Sequence, residues 1–278
     1  MSKTLNRRAT WNRSAQLVVV LLCALALKLY YSTASPDQLR WILTPTTFLV
    51  ELVSGKSFEF ESHAGYLSSD RTFLIAASCA GVNFLITSFL MLSLRKLWRD
   101  RWQNGSENRS GNFAWRFIPA AAVFAYLATL VANTVRISIA LRMQRIPLEI
   151  SGLSANQLHR FEGIFVYFGF LLLLYVVSEK QLFRTGSGSS RRVLQSWEKP
   201  PGLFRQSLFP LLIYYATTLG IPLATSAYRR GIAATDFWEH SVFVLLTPLL
   251  LILPLAAFRF FRAQPQRKTA SRQLAVGR

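Results

Sequence analysis

Cysteine and histidine are scarce in this chain, with two and three copies in 278 residues. Cys23 and Cys79 cannot build a disulfide framework. One Cys and one nearby His also fall short of a zinc set, so the sequence calls for no metal and no other cofactor. Acid is scarce as well: 13 Asp and Glu stand against 32 Lys and Arg, a formal charge of +19. Nucleic-acid binding is one common reason for so basic a chain, but no soluble module is left over to do it, and no nucleic acid is expected as a partner.

What the chain has instead is apolar length. It is 51% hydrophobic, and its long uncharged runs alternate with short clusters of Lys and Arg. That is the pattern of a polytopic membrane protein whose basic loops stay on the cytoplasmic side. A span needs about 20 apolar residues to cross a core roughly 30 Å thick. Six segments qualify: 15–33, 72–94, 117–141, 161–178, 207–227 and 241–260. A seventh, "WILTPTTFLVELV" (41–53), is too short and carries Pro45 and Glu51, so it reads as a re-entrant or interfacial segment. The expected fold is therefore all-α, a polytopic integral membrane helix bundle.

Its expected organisation is a membrane core over 1–180, a basic cytoplasmic linker over 181–206, two additional transmembrane helices within 207–262, and a disordered basic tail over 263–278. The start, "MSKTLNRRATWNR" before an apolar stretch, resembles a signal peptide. No small-residue cleavage site follows, so it reads as a retained first helix.

Counting basic residues decides the orientation. With a cytoplasmic N-terminus and 41–53 not crossing, 22 of the 32 Lys and Arg lie inside. If 41–53 crossed, three basic clusters would flip outward. An outer N-terminus with seven spans is the rival arrangement, since it too keeps those clusters inside. In both acceptable arrangements the loops around 55–71, 142–160 and 228–240 face outward. Cys79 then lies near the outer end of its span, eight residues from Arg71, or roughly 12 Å by the helical rise.

The next span, "FIPAAAVFAYLATLVANTVRISIALRM", carries Asn133 and Arg136 on one face of its outer half. Arg142 and Arg145 are interfacial, since long basic side chains reach water from a helix end. Arg136 sits six residues deeper than Arg142, where an arginine costs at least about 2.5–3.5 kcal/mol. Two readings stand: it snorkels with no further role, or it faces a polar cavity and holds something there. His159 follows at the outer start of the fourth span. Glu162, three positions on, either orients its imidazole or pairs with Arg160. His63 and His240 read as ordinary interfacial polar residues.

Three adjacent helices thus bring a thiol, an imidazole and a fixed cation to one depth. A thiolate is a strong nucleophile, and a neighbouring His or cation lowers the thiol pKa. The imidazole can return a proton to a leaving amine. A desolvated guanidinium can stabilise a tetrahedral oxyanion. That set permits acyl transfer or peptide cleavage through a thioester. The same residues leave open a transporter or channel with Arg136 and Asn133 along an anion path. They also leave open a membrane acyl- or glycosyl-transferase using Glu149 or Glu162, and a non-catalytic assembly factor.

The blocks "SCAGVNF" around Cys79, "ANTVRISIALRM" around Arg136 and "LHRFEGIFVYF" around His159 resemble, in order and on consecutive helices, the signatures of the exosortase/archaeosortase family. "TPTTFLVELVSG" (44–55) resembles a segment common upstream of the cysteine in these enzymes. The resemblance covers roughly residues 15–180 and implies a membrane-embedded cysteine endopeptidase or transpeptidase of the bacterial inner membrane, its site facing the periplasm. Its implied partners are membrane-anchored proteins with a C-terminal sorting signal of motif, transmembrane helix and basic cluster, in contact with membrane lipid. The final acceptor is water or an amine on a lipid or glycan.

Carried over by position, Cys79 is the nucleophile, Arg136 the transition-state stabiliser and His159 the general acid/base. Cys79-Ala80-Gly81 departs from the commoner Cys-Ser-Gly, which puts in doubt a helper hydroxyl there, and "CAGVNF" leans toward the exosortase K type. Gly81 is expected to allow close helix or substrate approach, and Asn83 to lie one helical turn below Cys79 on its face. Plain helix packing explains Gly81 and Asn83 equally well.

Overall fold

The computed structural model describes residues 2–103, 111–144, 155–180, 203–224, 238 and 241–254. Sequence expectations for Arg145, Glu149, His240, the linker up to 202 and the tail after 254 lie outside the described residues. The chain divides into two units, Met1–Ser178 and Glu179–Arg278.

The first unit is built on long apolar helices: α1 (Ser2–Thr33), α2 (Arg40–Ser54), α3 (Val82–Gln103), α4 (Gly111–Met143) and α5 (Ala155–Lys180). Four stretches are long and apolar enough to cross a membrane: Ser14–Thr33, Ala77–Arg99, Trp115–Met143 and Arg160–Glu179. They leave large apolar side chains uncovered, among them Leu21, Leu22 and Leu25 on α1 and Val123, Leu127 and Val131 on α4. Such surface has no favourable place in water, which makes this a helical protein of membrane character.

The remaining two expected spans correspond to shorter apolar helices, Ser207–Gly220 and Ser241–Pro254, in the second unit. The first of these changes from α to π geometry at Ala216–Gly220. Within that unit the Tyr215 hydroxyl donates to the Leu245 carbonyl at 2.7 Å.

The segment 41–53 lies within α2, one continuous helix of 15 residues with no reversal inside it. One face buries Ile42, Leu43 and Val50, while Phe48, Leu52 and Val53 stay exposed. Pro45 has no N–H to give the Trp41 carbonyl one turn back. Tyr126 on α4 supplies the missing donor, its hydroxyl 2.8 Å from that oxygen, and the Trp41 and Tyr126 rings stack at 5.8 Å. A proline that would weaken an isolated helix here makes the junction between α2 and α4. Glu51, odd in an apolar run, accepts the Phe58 N–H at 2.7 Å and starts the next element. Gly55 closes α2 in the left-handed region, its N–H returning to the Glu51 carbonyl.

The expected loop 55–71 is instead structured, and the fold is not purely helical. Strands β1 (Phe58–Glu61), β2 (Gly65–Ser68) and β3 (Leu74–Ile75) form a three-stranded antiparallel sheet in sequence order. Sequence reading missed it because the strands are two to four residues long, too short for alternation to stand out. Gly65 is required at its turn: at φ +126 an added Cβ would lie 2.4 Å from the Ile75 carbonyl oxygen. The β2–β3 turn is clasped by Asp70, which accepts from Lys56 at 2.6 Å, Ser68 Oγ at 2.6 Å and Thr72 Oγ1 at 2.7 Å. These donors, Lys56 foremost, hold its carboxyl well below the usual range. Asp37, before α2, accepts the His63 N–H at 3.1 Å, which lowers its carboxyl in the same direction.

Candidate functional site

The sheet delivers the chain to Cys79. After β3, Ala77–Ala80 form a single 3-10 turn, Gly81 takes φ +71, and only then does α3 begin at Val82. The expectation that a helical span runs from 72, with Cys79 about eight residues in from its outer end, is therefore corrected in its start. The thiol stands on a turn in front of the helix. The reason is Gly81: its left-handed backbone ends the turn and redirects the chain, and an L side chain there would be strained. A Cβ at 81 would also lie 3.2 Å from Thr129 Cγ2 and 3.3 Å from both Asn133 Cγ and the Tyr167 hydroxyl. Gly81 thus serves close approach of helices.

A turn leaves backbone groups without the helix ladder, and in an apolar setting they need partners. The Cys79 N–H donates to the Ala76 carbonyl at 2.9 Å. Its carbonyl accepts from Asn133 Nδ2 on α4. The Asn133 amide is buried and holds its other partner too, the Tyr167 hydroxyl donating to Oδ1 at 2.8 Å. Arg136 Nη1 donates to that same Tyr167 oxygen at 3.4 Å. A continuous path therefore runs from the Arg136 guanidinium through Tyr167 and Asn133 to the backbone of Cys79. Cys79 itself is half-buried.

Two further features fix the guanidinium. It lies over the Tyr167 ring, 5.4 Å from the centroid, and that ring stacks on Phe84 at 5.1 Å. On α5, Gly163 leaves room for it: an added Cβ would stand 3.1 Å from Arg136 Nε. The buried Glu162 carboxylate and the Cys79 thiol both lie within electrostatic range of this cation.

Asn83 does not share a face with Cys79, because Gly81 breaks the register between them. Asn83 turns to α1, where Lys28 Nζ donates to its Oδ1 at 2.8 Å. Tyr31, one turn further along α1, donates to the Ala77 carbonyl at 3.4 Å. The backbone of His159 lies on α5, and its side chain lies outside the described residues. Positions 159, 163 and 167 recur every four residues and so line one face. The position of His159 thus stands one turn from the glycine that faces Arg136. His63 is exposed at a left-handed turn beside Asp37.

The structure therefore joins Cys79, Gly81, Asn133, Arg136 and Glu162, and diverts Asn83. Sequence reading missed Tyr167, Gly163, Tyr31 and Lys28. The only sequence signal for the first two is their spacing in "LHRFEGIFVYF", Tyr167 eight and Gly163 four residues beyond His159. Among the described residues no group of three or more His, Cys, Asp or Glu is placed to hold a metal. Comparison with protein families, curated proteins and solved structures finds no match.

Proposed function

We propose that the protein is a membrane-embedded cysteine endopeptidase or transpeptidase of the exosortase type, acting on exported proteins that end in motif, transmembrane helix and basic cluster. One observation carries the reading: a desolvated arginine and the backbone of the cysteine share one hydrogen-bonded path through Tyr167 and Asn133. A structural Arg needs no such link to a cysteine, and a lipid-facing Cys needs no held backbone.

In this reading Cys79 Sγ, as thiolate, attacks the scissile carbonyl. Arg136 balances the negative charge that gathers on the carbonyl oxygen as the tetrahedral intermediate forms. His159 gives its proton to the leaving amine, the C–N bond breaks, and a thioester on Cys79 remains. Water or an amine then attacks the thioester, with His159 taking up the proton and Cys79 released. No metal enters the scheme. The site end of the bundle faces the periplasm of a bacterial inner membrane, as the distribution of basic residues favours.

The test is C-terminal mass spectrometry of envelope proteins from a deletion strain complemented with wild type, Cys79→Ala or Cys23→Ala. Loss of C-terminal helices with wild type and Cys23→Ala, but not with Cys79→Ala, is the expected result and reads out the cut site. Identical proteomes with all three proteins present in the membrane would defeat the protease reading. A transport phenotype that survives Cys79→Ala and fails in Arg136→Ala would replace it with an anion path.

A further inference from the structure

A second feature lies at the same end of the first unit, away from the thiol. A cavity of about 210 Å³ opens between the C-terminal turn of α2 and the last two turns of α4, lined by Val53, Ser54, Lys56, Ser138, Leu141 and Arg142. Its volume is many times the roughly 10–15 Å³ that one water needs.

The lining has one sign of charge from two separate elements. Lys56 comes from the segment after α2 and is mostly covered, its ammonium shared with Asp70. Arg142 comes from α4 and is exposed, with its five donors available in a planar fork. Between them Ser138 lines the cavity, its hydroxyl oxygen turned away from the open space. That side chain is only 9% exposed, and its Oγ has no hydrogen-bond partner among the described residues. A buried hydroxyl left unsatisfied is costly, and a change of rotamer toward a ligand in the cavity would relieve that cost.

We propose that this cavity binds a phosphate group, with the Arg142 fork and Lys56 on its oxygens and Ser138 donating the third contact. Arg and Lys with a hydroxyl are the donor set that tetrahedral oxyanions select, and an arginine fork pairs two of their oxygens at once. Depth and surroundings favour a phospholipid headgroup as the source. Arg142 is one residue from the end of the Trp115–Met143 span, the level of the polar headgroups. The lining residue Val53 and its chain neighbour Leu52 are 56% and 74% exposed, an apolar surface on which an acyl chain would lie. The site is independent of the protease reading.

The experiment uses the full-length protein purified in an uncharged detergent and isothermal titration with short-chain phosphatidylglycerol and, separately, with inorganic phosphate. Saturable one-site binding is expected. Arg142→Gln weakens it about ten-fold, as loss of a charge-assisted pair implies. Ser138→Ala weakens it by a smaller factor and leaves folding intact, since it removes a hydroxyl that bonds nothing else described. Lys96→Gln, about 21 Å along α3 from Val82, removes the same charge at the far end and changes nothing. Binding of the lipid alone identifies a headgroup site, and equal binding of both ligands identifies a free-phosphate site. Absence of saturation by either ligand would overturn the proposal. So would an equal loss in Lys96→Gln, which would reduce the effect to net charge.

Discussion

The two cysteines make a natural comparison. Cys23 lies midway along the span Ser14–Thr33, on a continuous helix, exposed beside the uncovered Leu21, Leu22 and Leu25. Its backbone is satisfied by its own helix, and nothing from another element is needed to place it. Cys79 lies on a single turn between a strand and a helix, with its carbonyl held by a side chain from α4. Both residues sit in apolar stretches of similar composition. What separates them is where the backbone leaves its ladder, because there other helices must supply donors and acceptors, and those groups then fix the side chain's position.

If the held backbone is what makes Cys79 different, removing its supports should erode function in order of their closeness to the chemistry. Nothing done near Cys23 should matter. The largest effect after loss of the thiol is expected for Arg136→Lys. An ammonium reproduces the charge but not the planar fork, and single-turnover cleavage should fall about 100-fold, the usual scale for a lost oxyanion donor. Wild-type rates in that variant would break the comparison, since they would make Arg136 a generic cation.

A smaller loss, about ten-fold, is expected for Tyr167→Phe. It keeps the stacking on Phe84 but cuts the path between Arg136 and Asn133. The fall should appear in kcat with little change in KM, because the ring still fills its place.

The smallest effect belongs to the sheet. Asp70 titrates below its unfolded value, so its ionised form stabilises the turn throughout the neutral and mildly acidic range. That contribution disappears only as pH falls through the depressed value. Amide exchange at Thr72, whose N–H also bonds Asp70, should therefore stay slow at pH values where an ordinary Asp is already protonated. It should become fast in Asp70→Asn at neutral pH. Cleavage in that variant should change by less than about two-fold, as expected for a partly exposed pair.

Much of this architecture was legible in advance because apolar length is a strong signal. The four long helices of the first unit fall where hydropathy put them, and α2 failed as a span for the reason its length gave. The turn at Cys79 was not legible. The run 72–94 reads as continuous in hydropathy, and only Gly81's conformation, which no pattern prints, divides it. Asn83 was misplaced for the same reason, since its face was counted across a break. Asn133 and Arg136 were found because polar groups in an apolar helix stand out. Tyr167 and Gly163 were missed because aromatic and small residues in such a helix look like packing until the partner across the gap is known.

The first helix carries a consequence for truncation. It is a wall of the site. Lys28 holds Asn83 at the start of α3, and Tyr31 reaches the carbonyl of Ala77 within the thiol's own turn. A chain cut after Thr33 would lose both contacts and bare the flank of the turn, so the first helix is a working part of the site and not only an anchor.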